Sequence, residues 1–302
     1  MSEVSDPTSS GEHPRVVSVL VPLYNHAKTV SHSLDSILLS DTTKIELIVC
    51  DDASKDQSFE VARSWVEEHG SRFVSAVALK NAGNLGITGN LNRLMQLARG
   101  EFVTLLASDD VLTVGAIDMQ CEFLQTHLAC DFVFANCGTI DEVGRVLQPA
   151  LFSTRKARVL KRQACATVDL VLEWNVPWSR LFARRRAFLA FGGYRSEHLV
   201  EDRWSALAIA RTRRFAFMDV TAHMYRVRAT GTGTAGLASQ RLQADLLDIE
   251  MRATRDARGL LRALLFVRTK AFAAQQSGSW CGLGWRVMQR AMVWGHRLLG
   301  AR

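Results

Sequence analysis

The sequence predicts an α/β protein in which helices flank a doubly wound, mostly parallel sheet, with a helical extension at the C-terminus. Apolar runs of strand length alternate with amphipathic helical patterns over residues 15–135, and short links join them. Two of the runs end in paired carboxylates, Asp51-Asp52 and Asp109-Asp110. Open α/β sheets bind ligands at the carboxyl ends of their strands, so the two pairs predict a binding site at that edge.

The elements follow in order from the hydrophobic periodicity of the chain. Strand patterns cover residues 15–21, 44–50, 73–79, 101–106 and 131–135, and helical patterns cover residues 27–39, 58–69, 87–98 and 114–127. Asp56 or Ser58 is expected to cap the second helix, and Gly100 to follow the end of the third. Successive strands joined through helices predict right-handed parallel crossovers.

Composition and length predict one large core, alone or with an appendage. The chain has 302 residues, of which 48% are hydrophobic. We divide it into a disordered N-terminal tail (1–14), a catalytic domain (15–230) and a helical basic extension (231–302). The tail lacks the features of a signal peptide.

The six cysteines show no CxxC spacing, which favours buried thiols in a cytoplasmic protein over disulfides or a zinc site.

The positive charge is concentrated at the C-terminus. Residues 252–302 hold 10 Lys and Arg and one acidic residue, whereas the whole chain carries +7. Arg286, Arg290 and Arg297 share one face of a predicted amphipathic helix. The helix could bind an anionic membrane surface on the inner face of the cell membrane, or pack on the protein's own core or a second subunit. No nucleic-acid motif accompanies the charge, so nucleic acid is not an expected partner.

The acidic pairs also have a structural interpretation. Asp51-Asp52 could end a strand and begin a turn, as aspartate often does. Asp109-Asp110 and a third pair, Glu201-Asp202, precede helical patterns, where carboxylates cap a helix or interact with its dipole. These alternatives remain open from the residues alone.

The order and spacing of several short motifs resemble the family 2 glycosyltransferases, which have the GT-A fold. The resemblance covers roughly residues 16–228, and no single motif is specific. The motifs are Val19-Leu20-Val21-Pro22-Leu23-Tyr24-Asn25, Asp51-Asp52-Ala53-Ser54, Asn84-Leu85-Gly86, Asn90-Leu91-Asn92, Gly100-Glu101-Phe102, Ser108-Asp109-Asp110, Glu201-Asp202 and Tyr225-Arg226.

The resemblance implies a nucleotide-sugar site at the ends of the first strands. Asp52 would accept hydrogen bonds from a uracil-type base, while Asp51 would support the loop. Asn25 could instead cap the next helix, and Asn84 could cap or contact the nucleotide. Gly86 would permit a tight turn. The residues assigned to the nucleotide-sugar are Pro22, Tyr24, Asn25, Asp51, Asp52, Asn84, Gly86, Asp109 and Arg226.

The resemblance also implies a divalent cation, Mn²⁺ or Mg²⁺. Asp109 would lie near the ribose, and Asp110 would ligate the metal on the diphosphate. Many family members carry another Asp where this chain has Ala107, which leaves Asp110 as the main protein ligand. Tyr225-Arg226 matches an element near the diphosphate, although Arg228 stands where a His is common.

For the chemistry, the resemblance implies that Asp202 is the general base, with Glu201 as the next candidate. Asn175 and Trp178 would line the acceptor side. The Gln-x-x-Arg-Trp element of processive synthases is missing from the sequence. The expected function is therefore inverting transfer of one sugar from a nucleotide-diphosphate sugar to a glycan or lipid-linked saccharide. A non-catalytic nucleotide-sugar-binding or scaffold protein, and a nucleotidyltransferase, are the alternatives.

Overall fold

The structure is a computed structural model that describes residues 13–41, 43–175, 177, 180–190, 192–194, 201–227, 240–276 and 288. Within these residues one mixed sheet of nine strands forms the centre of the fold. The strands are β1 (His13–Leu23), β2 (Lys44–Asp51), β3 (Ser75–Lys80), β4 (Gly100–Leu105), β5 (Val111–Leu112), β6 (Phe132–Ile140), β7 (Val146–Gln148), β8 (Leu181–Arg184) and β9 (Phe215–Arg226).

The sheet has the order β3-β2-β1-β4-β8-β6-β9-β5, with β7 paired to β6. β1, β2, β3 and β4 are mutually parallel, and β9 is parallel to β6. β8 is antiparallel to both β4 and β6. The α/β class and the mostly parallel sheet are confirmed. The sheet is nevertheless mixed: β8 enters its centre against the direction of its neighbours, and β5 and β7 are antiparallel to β9 and β6.

Helices cover both faces of the sheet. They are α1 (Val30–Ile37), α2 (Ser58–His69), α3 (Gly86–Leu97), α4 (Ala116–Thr126), α5 (Thr154–Leu160), α6 (Gln163–Leu172), α7 (Arg185–Leu189), α8 (Glu201–Thr212), α9 (Gln240–Asp256) and α10 (Gly259–Gln276). Gln57, and neither Asp56 nor Ser58, occupies the cap position of α2. Asp56 instead accepts hydrogen bonds from Ser58, the first helical residue.

The strand sequences explain the layering. In β2 every residue after Lys44 is buried, as expected for an aliphatic strand covered on both faces. Alternate side chains of this strand enter different cores: Ile45, Leu47 and Val49 enter one cluster, while Ile48 and Cys50 enter the other. The sheet therefore separates two apolar cores.

The helices of the C-terminal extension share one of these cores. Leu246, Ile249, Leu264 and Leu265 are buried in the same cluster as Ile209 of α8. Residues 240–276 thus share a core with α8 and one face of the sheet. The basic helix predicted over residues 280–302 lies outside the described residues, apart from Met288. In the part of the chain that the structure describes, no helix has the length and apolarity to cross a membrane.

Candidate active site

Five of the predicted nucleotide residues line one pocket at the carboxyl ends of β1 and β2. The pocket has a volume of about 310 Å³, and the loops after β1, β2 and β3 form its walls. We call it the nucleotide-side pocket. Its lining includes Pro22, Tyr24, Asp52, Asn84 and Gly86.

Asp52 is held rigidly in the wall of the nucleotide-side pocket. Its side chain is buried, and Oδ1 accepts hydrogen bonds from Asn81 Nδ2 at 2.7 Å and from the Leu85 amide at 2.8 Å. Asn84 Nδ2 donates to the Asp52 carbonyl at 3.2 Å. The carboxylate is therefore oriented by neutral donors, an arrangement that suits it to receive a ligand's N–H group.

Asp51 and Asn25 connect the loops that follow β1 and β2. Asp51 Oδ2 accepts a hydrogen bond from the Ser54 amide at 3.0 Å. Asn25 Oδ1 accepts one from the Lys55 amide at 2.9 Å. Asn25 does not cap the first helix, because Thr29 occupies that position. Both contacts fix the loops whose other residues line the nucleotide-side pocket.

The loop into α3 has the geometry of a tight turn. Gly86 has a φ of +72°, a region that favours glycine, and its amide donates to Asn84 Oδ1 at 3.0 Å. Asn90 Nδ2 donates to the Cys50 carbonyl at 2.8 Å, and Asn92 Nδ2 to the Tyr194 carbonyl at 2.7 Å. The two asparagines thus hydrogen-bond to backbone beside the sheet.

A second cavity opens beside the nucleotide-side pocket. It has a volume of about 110 Å³, and Arg180, Glu201 and Asp202 contribute its charged lining. We call it the transfer-side cavity. Pro22 and Ala107 line both cavities, so the two adjoin at the ends of β1 and β4.

The acidic pair in the transfer-side cavity begins α8. Burial raises the pKa of Glu201 and of Asp202, and the negative charge of Asp202 raises the pKa of Glu201 further. The Arg180 guanidinium favours the charged forms and partly offsets this shift. A carboxyl pair with raised pKa values in a cavity is a candidate for proton transfer.

Asp110 is completely buried and already has a positive partner. Its Oδ2 lies 2.5 Å from Arg180 Nη2, and its Oδ1 accepts a hydrogen bond from the Arg226 amide at 3.0 Å. Among the described residues there is no group of three or more His, Cys, Asp or Glu side chains that could hold a metal ion. With protein donors at both of its oxygens and an arginine already beside it, Asp110 in this arrangement does not fit the role of main ligand to a divalent cation.

Asp109 and Arg226 lie beside Asp110, and the Arg226 guanidinium also contacts His32 of α1 at 2.9 Å. Asp109 Oδ2 is 3.9 Å from His26 Nε2. The Arg226 guanidinium donates to the Asp109 carbonyl at 2.7 Å and to the Asp141 and Glu142 carbonyls at 2.9 and 3.0 Å. This network favours a role for Arg226 in holding the loops together over direct contact with a diphosphate.

Asn175 is half-buried and does not line either cavity. Trp178 and Arg228 lie outside the described residues. Sequence reasoning missed Arg180, Asn81 and His26, which contact the predicted carboxylates or their loop. The available signal for Arg180 was weak: a single Arg directly before an apolar strand.

The residue after Asp202 anchors α8 to the rest of the fold. Arg203 is fully buried, and its Nε donates to Glu250 Oε1 at 2.8 Å. Its other nitrogens donate to the Leu170 and Val171 carbonyls at the end of α6, at 3.0 and 2.9 Å. The C-terminal helix α9 thus holds the helix that begins with the predicted base.

Comparison with known proteins now gives the family. The model for "Glycosyl transferase family 2" matches residues 18–175, which is more than half of the chain. The chain belongs to glycosyltransferase family 2. This match confirms the family inferred from the motifs, and it includes the nucleotide-side pocket and Asp110.

Two relatives with assigned names are similar over a large share of this chain. The Bacillus subtilis (strain 168) glycosyltransferase EpsE is 26% identical over 206 residues, which are 68% of this chain and 64% of EpsE. Escherichia coli WfgD is 30% identical over 179 residues, which are 57% of this chain and 67% of WfgD. WfgD is named a UDP-Glc:alpha-D-GlcNAc-diphosphoundecaprenol beta-1,3-glucosyltransferase. The matched part of this chain thus spans about two thirds of the length of each of these two relatives.

Solved structures confirm the GT-A fold. S. aureus TarS 1-349 in complex with UDP aligns with a TM-score of 0.61 at 18% identity, over 87% of this chain and 72% of TarS. The mannosyltransferase PcManGT from Pyrobaculum calidifontis, in complex with GDP-Man and Mn²⁺, aligns with a TM-score of 0.59 at 19% identity. That alignment covers 94% of this chain and 85% of PcManGT. At these identities the likeness concerns the fold.

Proposed function

We propose that this family 2 glycosyltransferase moves one sugar from a nucleotide-diphosphate sugar to a hydroxyl of a glycan or lipid-linked saccharide, with inversion. The observation that carries the proposal is the junction of the two cavities. Asp52 and Asn84 line the nucleotide-side pocket, and Asp202 lines the transfer-side cavity directly beside it. A donor lying across Pro22 and Ala107 would present its anomeric carbon to the acidic pair.

The donor is a UDP-sugar in this proposal. Asp52 offers a fixed carboxylate, which can accept the imide N–H of a uracil ring. TarS has been solved in complex with UDP and in complex with UDP-GlcNAc. PcManGT has been solved in complex with GDP-Man, so a guanine nucleotide belongs in the same binding experiment. The name of WfgD supports a lipid-linked acceptor.

The acidic pair supplies the base. A single displacement forms a bond between the acceptor oxygen and the anomeric carbon as the bond from that carbon to the diphosphate breaks. The acceptor's hydroxyl proton passes to the ionised Asp202 carboxylate, and the bonding electrons leave with the nucleoside diphosphate. Attack from the face opposite the leaving group inverts the anomeric centre.

The transfer can be described without a step through a metal ion. The resemblance predicts Mn²⁺ or Mg²⁺ at Asp110, but Arg180 and the Arg226 amide engage that carboxylate. Charge on the departing diphosphate must still be compensated by a positive group in or beside the transfer-side cavity. Arg180 is the cationic residue in that lining.

A membrane location is a separate part of the proposal. The basic C-terminal segment would hold the protein against anionic lipid on the cytoplasmic face, beside a lipid-linked acceptor. Truncation after Gln276 should then abolish salt-sensitive co-sedimentation with vesicles that contain anionic lipid. Loss of solubility on truncation, with equal binding to neutral and anionic vesicles, would instead indicate packing on the protein itself.

The experiment that tests the function has two stages. Calorimetry with UDP, GDP and dTDP, with and without Mn²⁺, should detect binding of UDP. Incubation with labelled UDP-sugars and a diphosphate-linked saccharide should then give a product that Asp202→Asn does not form. Binding without transfer or hydrolysis of any donor would favour the non-catalytic alternative. Binding of no nucleotide under any condition would contradict the proposal.

A further inference from the structure

Arg180 occupies the position at Asp110 that the family resemblance assigns to a metal ion. It lies at the junction between the loop after α6 and the first residue of β8. Its Nη2 is 2.5 Å from Asp110 Oδ2, and the side chains of Arg180 and Asp110 are 14% and 1% exposed. A guanidinium at this distance neutralises the buried carboxylate before any ligand arrives.

The surroundings of Arg180 hold the guanidinium in place. Its central carbon lies 5.3 Å from the centroid of the Tyr225 ring, within the range of a cation–π contact. Asp110 itself is fixed from the other side by the Arg226 amide at 3.0 Å. The ion pair is therefore built into the junction between the loop after β4, the end of β9 and the start of β8.

The position of Arg180 also relates it to the reaction. It lines the transfer-side cavity together with Glu201 and Asp202, and this cavity adjoins the nucleotide-side pocket through Pro22 and Ala107. A diphosphate that bridges a base at Asp52 and a sugar at Asp202 would have to pass this junction. A planar guanidinium can bind a carboxylate and phosphate oxygens at the same time, which an ammonium ion does less well.

We propose that Arg180, and not a divalent cation, is the positive group at Asp110, and that it binds the diphosphate of the donor. The inference rests on the proposed function for the identity of the ligand. Arg180 keeps Asp110 neutralised in the empty enzyme, and phosphate oxygens take up its hydrogen-bonding capacity when the donor is bound. The Arg180 side chain then supplies the positive charge that the departing diphosphate requires.

UDP binding in the absence of metal is the first test, and it needs no variant. The dissociation constant of UDP for the wild-type protein, measured by calorimetry, should agree within about threefold between excess EDTA and excess Mn²⁺. A difference up to that size is allowed because free Mn²⁺ also binds UDP itself. Binding of UDP only in the presence of Mn²⁺ would overturn the inference while leaving the proposed function intact. Binding of no nucleotide in either buffer would defeat both.

Substitutions then separate Arg180 from Asp110. In EDTA, Arg180→Gln should weaken UDP binding about tenfold or more, the scale of a lost charge-assisted contact, and Arg180→Lys should recover part of it. Asp110→Asn should retain UDP binding, because Arg180 remains. A metal-dependent site predicts no UDP binding in EDTA and, in Mn²⁺, a loss of binding in Asp110→Asn with little change in Arg180→Gln.

A folding control and a metal readout complete the design. Because Arg180→Gln leaves Asp110 buried without its cation and could unfold the protein, Arg180→Gln/Asp110→Asn removes both charges together. This double variant should fold and lose UDP affinity by the same factor. Electron paramagnetic resonance of Mn²⁺ should detect no ion bound to the wild type without UDP, and any signal that UDP carries into the complex should be the same in Asp110→Asn. A stoichiometric Mn²⁺ signal that Asp110→Asn abolishes would overturn the inference.

Discussion

The two halves of the site stabilise their buried carboxylates in different ways. On the nucleotide side, neutral groups orient Asp51 and Asp52: backbone amides contact both, and the side-chain amide of Asn81 contacts Asp52. On the transfer side, arginines balance Asp110 and Glu250 through buried ion pairs. A carboxylate held by amides loses little when it is replaced by its own amide. Removing one member of a buried ion pair leaves the other charge uncompensated.

This difference predicts how each half responds to substitution. Charge-neutralising changes on the nucleotide side should leave the fold intact, and they should alter ligand affinity only where the carboxylate lines the nucleotide-side pocket. The same chemical change on the transfer side should lower the free energy of unfolding or the rate of the reaction. Four substitutions, ordered by the size of the expected effect, test that division.

The largest effect is expected for Glu250→Gln. Arg203 donates to Glu250 at 2.8 Å, and Arg268 Nε lies 3.7 Å from the same carboxylate oxygen, so a fully buried and a partly buried arginine share one carboxylate. Loss of that charge should lower the free energy of unfolding by about 3–5 kcal/mol, measured by urea denaturation.

Asp248→Asn, on the same helix, is the matched control for Glu250→Gln. Asp248 pairs with Arg252 at 2.7 Å, but both side chains are more than a third exposed. Its loss should cost less than about 1 kcal/mol, because water screens the pair. Equal losses of stability in the two variants would show that α9 does not hold α8 through Glu250.

The second prediction concerns the acidic pair. Asp202→Asn should lower kcat about 100-fold or more, because it removes the base, and the dissociation constant of UDP should stay near the wild-type value. If UDP affinity collapses instead, Asp202 is a binding residue. If only Glu201→Gln gives a protein that binds but does not react, the roles of the two carboxylates are exchanged.

The pH dependence of the reaction has a definite sign. The base must be ionised, and burial raises the pKa values of both carboxyls above their ordinary range. The kcat should therefore rise with pH through this raised range and then level off. Since the folded protein holds these protons more tightly than the unfolded chain, the pair's contribution to stability is lost over the same rise in pH. A flat profile across the carboxyl range would contradict the assignment.

The two halves of the site also differ in how far the sequence predicts them. The strands β1 to β4 and the helices between them follow from hydrophobic periodicity, because each element is set by residues close together in the chain. Asp52 and Asn84 could be placed together because parallel strands bring their carboxyl ends to one edge. Periodicity contains no information about Arg180 and Asp110, or about Arg203 and Glu250, which lie 47 residues apart and meet only in the folded core.

The antiparallel entry of β8 was hidden for a similar reason. Leu181–Arg184 is only four residues long, and a buried apolar run of this length has the same pattern in either direction. The sequence before this strand has no periodic signal that would set its direction. The direction of β8 places Arg180 beside Asp110. Because the sequence does not predict that direction, it does not predict the contact of Arg180 with Asp110 either.

The third prediction returns to the nucleotide side. Asp52→Asn should weaken UDP binding about tenfold, because an amide replaces an oriented anionic acceptor. The free energy of unfolding should change by less than about 1.5 kcal/mol, since an amide oxygen can still accept from Asn81 and Leu85. An unchanged dissociation constant with a clear loss of stability would make Asp52 a structural residue.

The smallest effect is expected for Asp51→Asn, its neighbour. Asp51 is fully buried, and its Oδ2 accepts a hydrogen bond from the Ser54 amide at 3.0 Å, so it supports the loop and does not line the nucleotide-side pocket. An asparagine oxygen can keep that bond, so the free energy of unfolding should fall by about 1 kcal/mol or less. The UDP dissociation constant should stay within about threefold of wild type, a change worth less than about 1 kcal/mol. A larger loss of affinity than in Asp52→Asn would reverse the two roles and place the nucleotide against Asp51.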